Sequence, residues 1–343
     1  EDPRRFARIS ARLHAMTQFA AGGLNHQAVA AIENACVDLA AKARGVPVCA
    51  LFGGPVRDAV DLYWSHCGSF RVRHAEIFER VIGVPPLRSL DDVRRLGEEA
   101  VRRGFRAVKT NPLVFDSAGP RMINPGFIPR GLRFERTADE ALIRAIEEQI
   151  AALRDGLGRD PGLLLDVNFA FRPAALRRIA RALESSRLAW LETDLHDPAA
   201  LAEVRRASVT PIASLETLYG RRAYKPYFQA QAVDVAVVDV PWNGFHEAVR
   251  IASLAETFEV NVAPHNYYGP LADLMSAQFC AVAGSAAIME IEGDDVPWKY
   301  SLLTQPPRIE GGRFVIPMEP GWGAEPDEAA LAAHPWEPSG RTG

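Results

Sequence analysis

GLLLDVNFAFRPAALRRIARALESSRLAWLETDLHDPAALAEVRRASVTPIASLE, residues 162–216, carries three short apolar runs: GLLLDV (162–167), RLAWLE (187–192) and TPIASL (210–215). Each run ends at a carboxylate, Asp166, Glu192 or Glu216. A segment that should be buried is a costly place to end on a charge unless that charge is paired or metal-bound. The pattern extends in both directions. Upstream, VDLYWS (60–65) and FRAVK (105–109) read as strands, and downstream so do DVAVVD (234–239), EVNVAP (259–264) and AAIMEI (286–291). Most are separated by a helix, with TADEALIRAIEEQIAALR (137–154) and GFHEAVRIASLAET (244–257) as amphipathic examples. Eight β-runs alternating with helices predict parallel βαβ units, and eight strands close a barrel. A doubly wound open sheet is the competing architecture, but no Gly-rich phosphate loop follows the first strand.

Ahead of this region, QAVAAIENACVDLAAKAR (27–44) places apolar residues at helical spacing and is followed by Gly45 as a stop. The Pro- and Gly-rich stretch 112–136 interrupts the rhythm directly after a strand, so it reads either as a lid or specificity loop over the barrel mouth or as an insertion. After residue 300 no clear final helix is visible. A net charge of −4 gives no support to a nucleic-acid or anionic-membrane surface, and no apolar run reaches eighteen residues. Four scattered cysteines without CxxC spacing argue against a disulfide framework or thiolate metal site and suggest a reducing, cytoplasmic setting. Only four of the 39 basic residues are lysines, so a lysine at a strand end is not filler.

The strand ends carry the chemistry. Lys109, Asp166, Glu192, Glu216, Asp239, His265 and Glu290 recur there, spaced 26, 24, 23, 26 and 25 residues apart from Asp166 onward. One functional side chain per βα unit is what converges a site on the C-terminal mouth of a barrel. Any one carboxylate is explained as a helix cap or strand-end salt bridge, and His265 alone as a loop histidine. Five carboxylates in register with a Lys and a His make separate bland explanations improbable. Asp166, Glu192 and Glu216 form an all-oxygen set suited to Mg²⁺, with Mn²⁺ also acceptable, whereas zinc prefers nitrogen or sulfur. Asp239 hydrogen-bonded to His265 would fix its tautomer and make a general base. Lys109 would hold a substrate carboxylate, act as an acid or base, or form a Schiff base; the last does not need three metal-binding carboxylates.

These residues resemble the enolase superfamily, in the mandelate racemase subgroup. The metal triad of successive strands corresponds to Asp166, Glu192 and Glu216, the His–Asp dyad to His265 and Asp239, and the glutamate that contacts the substrate carboxylate to Glu290. AIENACVDLAAKARGVPVCALFGG is similar to the family's helix leading into the barrel, and VPW at 296–298 to the segment after its last strand. The resemblance implies a (β/α)7β TIM-type barrel over 58–300, the remainder of an α+β capping domain over 1–57 that is incomplete at its N-terminus, and a C-terminal segment, 301–343, returning to that domain. It implies a homo-oligomer, from dimer to octamer, acting on a small-molecule carboxylate.

Strand two has Lys109-Thr110-Asn111 where the subgroup's racemases carry Lys-x-Lys, and Lys-x-Asn is similar to galactonate-type sugar-acid dehydratases. Those enzymes place a His two residues after the first metal ligand, where this chain has Asn168. The activity implied is dehydration of a sugar acid to a 2-keto-3-deoxy acid, with a racemase or epimerase as the alternative and a non-catalytic barrel as a third reading. In that scheme a protonated Glu290 donates a hydrogen bond to the intermediate. Asn111 and Asn168 hold substrate hydroxyls, and His66 and Tyr267 touch substrate. Arginines of the long loop, Arg130 and Arg133, would suit a diacid.

Overall fold

The structure is a computed structural model, and it describes residues 1–123 and 137–335. Eight parallel strands form the barrel: β1 (Ala59–Ser65), β2 (Ala107–Thr110), β3 (Gly162–Asp166), β4 (Trp190–Glu192), β5 (Ile212–Ser214), β6 (Val235–Asp239), β7 (Asn261–His265) and β8 (Met289–Glu292). Each pairs with its successor from β1 to β7. The ring closes where β8 pairs with β1, in register Tyr63 with Glu290, and where Val262 bridges Ala286. Seven helices make the crossovers: Leu90–Arg102, Glu140–Leu157, Pro173–Ala182, Pro198–Arg206, Arg221–Gln229, Phe245–Glu256 and Pro270–Val282. The fold is thus the (β/α)7β barrel.

Local chemistry explains where the elements start. Ser89 caps the first crossover helix by accepting from Asp92 N, and Asp92 accepts from Ser89 Oγ in return. Asp139 and Asp197 cap two others, and Pro173, Pro198 and Pro270 open theirs. Two strands are half the length of their apolar runs. β4 begins at Trp190 rather than 187 because Arg187 closes a 3-10 turn with φ 49°. β5 stops at Ser214 because Leu215 has φ 91°. In the 112–136 stretch, Leu113–Asp116 and Gly119–Met122 form a hairpin; 124–136, with Arg130 and Arg133, lie outside the described residues.

Ahead of the barrel, helices Phe6–Met16 and Gly23–Lys42 pack together. Residues beyond 300 come back to both regions. Arg313–Val315 pairs antiparallel with the start of β1, Gly321 N donates to Val46 O, Trp322 packs at a tilt against Phe245, and Lys42 pairs with Glu325. A short helix, Glu328–Ala333, occurs where the sequence showed no clear helix. Among the described residues no helix is long and apolar enough to cross a membrane, and all four cysteines are free and buried.

The first two crossover helices meet at glycines. A Cβ built on Gly156 would lie 1.8 Å from Arg94 O, and one on Gly97 would lie 2.7 Å from Leu153 O. The contact is backbone to backbone, so no rotamer can relieve it. Gly156→Ala, despite the better helix propensity of alanine, is expected to destabilise by about 1–3 kcal/mol through overpacking. The check is a thermal unfolding midpoint several degrees below wild type; an unchanged midpoint would show that the helices can separate freely.

Candidate active site

Strand alternation builds the site. Inside the barrel, Tyr63, Ala107, Leu164, Trp190, Ala213, Val237 and Ala263 pack into one apolar layer. Two residues further along the same strands stand Ser65, Lys109, Asp166, Glu192, Asp239 and His265, and Glu290 follows Ile288 in the same way. A period of two returns each of these to the interior face, one layer nearer the C-terminal mouth. Glu216 breaks the rule. Ala213 faces inward, so regular alternation would send Glu216 outward. The left-handed backbone at Leu215 turns the chain, Leu215 joins the core outside the barrel, and Glu216 Oε2 comes within 3.6 Å of His265 Nε2. Asp194 fixes that turn by accepting from Ser214 Oγ at 2.7 Å and Leu215 N at 2.8 Å.

Lys109 is only 2 % exposed and sits among carboxylates. Its Nζ lies 3.2 Å from both oxygens of Glu192, 3.0 Å from Glu290 Oε1 and 3.9 Å from Asp166 Oδ2. Burial alone would lower its pKa, but Glu192 and Glu290 hold the ammonium well above its ordinary value. Glu290 accepts from Ser65 Oγ at 2.5 Å and Asn266 N at 2.8 Å. Against burial, which would raise it, Lys109, His265 and those hydrogen bonds keep the Glu290 carboxyl well below the usual carboxylate range. This corrects the expectation of a protonated Glu290: an anion paired with a buried ammonium has no proton to donate.

His265 Nδ1 lies 2.7 Å from Asp239 Oδ2, and Tyr268 OH donates to the same oxygen at 2.6 Å. Trp242 N donates to Asp239 Oδ1 at 2.6 Å, so Asp239 is held from both sides. With Nδ1 on Asp239, Nε2 is the nitrogen turned toward Glu216. Burial would depress the imidazole, but Glu216 and Asp239 push it up to about 10. The carboxylates also act on each other. Burial first, then the charges of Glu192 and Glu216, raise Asp166 well above its ordinary value. Glu216 is pushed up to about 7, by burial and by Asp194 and Glu192, against the pull of His265.

As they stand, Asp166, Glu192 and Glu216 are neighbours rather than a closed cage. Among the described residues no three His, Cys, Asp or Glu side chains are placed to hold a metal ion. The reason is visible in their partners. Glu192 rests on Lys109 and on Trp190 Nε1, Asp166 on Asn168, and Glu216 leans toward His265.

The four expected substrate contacts differ in placement. Asn168, at φ 48°, spends its N and Nδ2 on the two Asp166 oxygens, at 2.8 and 3.0 Å, so it orients that carboxylate. Asn111 donates from Nδ2 to Asp166 O, and its Oδ1 is buried without a hydrogen-bond partner. His66 Nδ1 is shared by Ser65 Oγ (2.9 Å) and Glu292 Oε2 (3.2 Å), and its ring lies 4.5 Å from both Phe70 and Tyr267. Tyr267 is 44 % exposed on the rim. Three residues were missed. Asp194 and Glu292 each follow a strand-end glutamate by two residues, so strand period could have found them. Tyr268 carried no such signal, because only the packing of β6 beside β7 brings it to Asp239.

Comparison with known proteins agrees with this fold. The model of the family described as enolase C-terminal domain-like matches residues 92–330, and that of the mandelate racemase / muconate lactonizing enzyme N-terminal domain matches residues 3–53. A D-gluconate dehydratase of Thermoproteus tenax is 30% identical over 320 residues, which is 91% of this chain and 57% of the relative. A D-xylonate dehydratase of Haloferax volcanii is 28% identical over 312 residues, 90% of this chain and 69% of the relative. The chain therefore spans little more than half the length of the first of these. A solved structure from Burkholderia xenovorans strain LB400, provisionally described as an L-alanine-DL-glutamate epimerase and bound to magnesium and fumarate, is 40% identical. It superposes with a TM-score of 0.92 and covers 97% of this chain and 82% of that one. The chain belongs to the enolase superfamily, in its mandelate racemase subgroup.

Proposed function

We propose that the protein is a Mg²⁺-dependent dehydratase of a sugar acid, an aldonate or aldarate, that removes the proton next to the carboxylate and expels the β-hydroxyl. The observation that carries the reading is the His265–Asp239 pair, 2.7 Å apart, set across the mouth from Lys109 among buried carboxylates. Relatives that dehydrate gluconate and xylonate support the reaction class, and the magnesium and fumarate of the Burkholderia protein support a metal and a carboxylate ligand. Asp166, Glu192 and Glu216 would hold the metal, with Mn²⁺ as a substitute. Their mutual repulsion and burial fit such a role, because a divalent cation is what three crowded carboxylates lack. When bound, it would supply fixed positive charge beside the oxygen on which charge develops.

The remaining steps belong to the chain. Lys109 draws the substrate carboxylate by charge, and Glu290 keeps Lys109 in place through their 3.0 Å contact. In its neutral form His265, held by Asp239 and Tyr268, takes the proton from C2 on Nε2; a cation bound by Glu216 would offset the carboxylate charge that most raises the imidazole. The resulting enediolate faces the Lys109 ammonium, which stabilises it electrostatically. The imidazolium then returns its proton to the hydroxyl at C3; the C3–O bond breaks, water leaves, and the enol ketonises to a 2-keto-3-deoxy acid.

Racemisation or epimerisation by the same proton abstraction is the second reading, favoured by the description of the Burkholderia relative. It needs a second base on the other face of the substrate. Lys109 is the candidate, but it is already the ion-pair partner of Glu192 and Glu290, which weighs toward elimination.

Two measurements test these assignments. Saturating Mg²⁺ should raise the thermal unfolding midpoint of the wild-type protein, since a ligand at about 100 times its Kd stabilises by about 2.7 kcal/mol. The rise should shrink in Glu192→Gln and Glu216→Gln; an equal rise in both variants would place the metal elsewhere. For the chemistry, sugar acids incubated with Mg²⁺ in D₂O should yield 2-keto-3-deoxy product, and His265→Asn should slow it by about 10²–10⁴-fold. Deuterium at C2 of recovered acid with inversion and no keto product would replace dehydration with racemisation.

A further inference from the structure

A cavity of about 460 Å³ borders the proton-transfer site through Tyr268. Ile77, Phe78 and Val81 of the segment after β1 form one wall, and Tyr267, Trp298 and Leu302 form the other. Two lining residues connect it to the chemistry. Tyr268 also holds Asp239, and Glu292 follows Glu290 on the interior line of β8, with its Oε2 3.2 Å from His66 Nδ1.

Three observations define what fits. The rim leaves large apolar groups in water: Ile77 is 51 % exposed, Val81 45 % and Tyr267 44 %. Apolar side chains clustered around an opening mark a ligand surface. The charged groups of the lining are matched within the protein. Asp294 is bound by Arg71, which also grips Glu99, and Asp295 pairs with Lys299 at 3.2 Å, while Lys299 has Asp273 as a second partner. Glu292 is buried, which pushes its carboxyl well above the usual range, and its Oε1 accepts from Asp294 N at 3.2 Å. A charged tail would find no unpaired counter-ion here. Finally, the volume far exceeds the roughly 30 Å³ share of one water, so it has room for a phenyl or short alkyl group.

We propose that this cavity receives a neutral, apolar tail carried at or beyond C4 of a 2,3-dihydroxy acid, while the carboxylate faces Lys109 and C2 faces His265. The inference rests on the α-proton reading above but departs from its substrate: C1 to C3 follow the sugar-acid pattern, whereas an apolar tail replaces the hydroxylated chain of an aldonate or aldarate. Dehydration of such an acid breaks the C2–H and C3–O bonds, releases water and leaves a 2-keto acid with the tail intact.

The test compares three acids on the full-length protein with Mg²⁺: 2,3-dihydroxy-5-phenylpentanoate, gluconate and glycerate, the last being the head group alone. Calorimetry gives each Kd, and 2-keto acid formation is followed separately. The phenyl acid is expected to bind at least tenfold more tightly than gluconate. In Val81→Glu, at the half-exposed rim, the ratio of the phenyl acid Kd to the glycerate Kd should rise at least tenfold, and Leu302→Glu should repeat the effect from the opposite wall. Gluconate binding as tightly as the phenyl acid, or ratios unchanged in both variants, would overturn the proposal. The two readings fail separately. Tight, wall-dependent binding of the phenyl acid without keto product upholds the cavity and sinks the dehydratase, whereas keto product from gluconate with no binding of the phenyl acid does the reverse.

Discussion

Everything at the barrel mouth is arranged around one buried ammonium. Lys109 lies within 4 Å of carboxylate oxygens from Asp166, Glu192 and Glu290, which come from three other strands. Taking any of these ions out of water is costly, and the set is tolerated only because opposite charges and hydrogen bonds meet in one place. Glu290 shows how closely the terms compete. Burial pushes its carboxyl toward neutrality, and Lys109, with donors from Ser65 and Asn266, wins. At Asp166 and Glu216 the pull of Lys109 and His265 does not outweigh burial and the neighbouring carboxylates, and both are driven the other way. The mouth is thus polarised, with settled charge around Lys109 and crowded charge toward β5.

Such crowding persists only if the scaffold leaves the side chains nowhere else to go. The apolar layer beneath them supplies that constraint. Tyr63, Leu164 and Trp190 fill the barrel, so residues two positions further along must point into the mouth. Two backbone departures refine the aim. Leu215, held left-handed by Asp194, redirects Glu216 toward His265, and Asn168, also left-handed, closes on Asp166 with two hydrogen bonds. Strain at non-glycine residues survives where surrounding contacts enforce it, and two of the six left-handed non-glycine residues among those described, Asn168 and Leu215, aim carboxylates.

A second set of contacts ties down the rim. Arg71, nearly inaccessible, binds Glu99 and Asp294 and so joins the segment after β1 to the segment after β8. These segments carry the opposite walls of the apolar cavity, and Tyr268 connects that cavity to the dyad. The centre that would move the proton and the surface that would select the substrate are therefore parts of one packed unit.

The sequence by itself determined the eight strands, three of the helices and the identity of the strand-end groups. Those features are local: a period of two within a strand, a period of 3.6 within a helix, and a carboxylate at the end of an apolar run each report on a few neighbouring residues. Where local chemistry was ambiguous it misjudged the ends, as at Arg187 and Leu215, whose left-handed backbones no apolar pattern announces. The tertiary structure alone decided the ionisation of Glu290, which depends on a lysine 181 residues away in the chain. It also decided the grip of Tyr268 on Asp239, the use of Asn168 as a brace for Asp166, and the existence of the cavity. Each is set by distances between strands, and a pKa or a pocket is a property of what stands within a few ångströms in space, whatever its position in the chain.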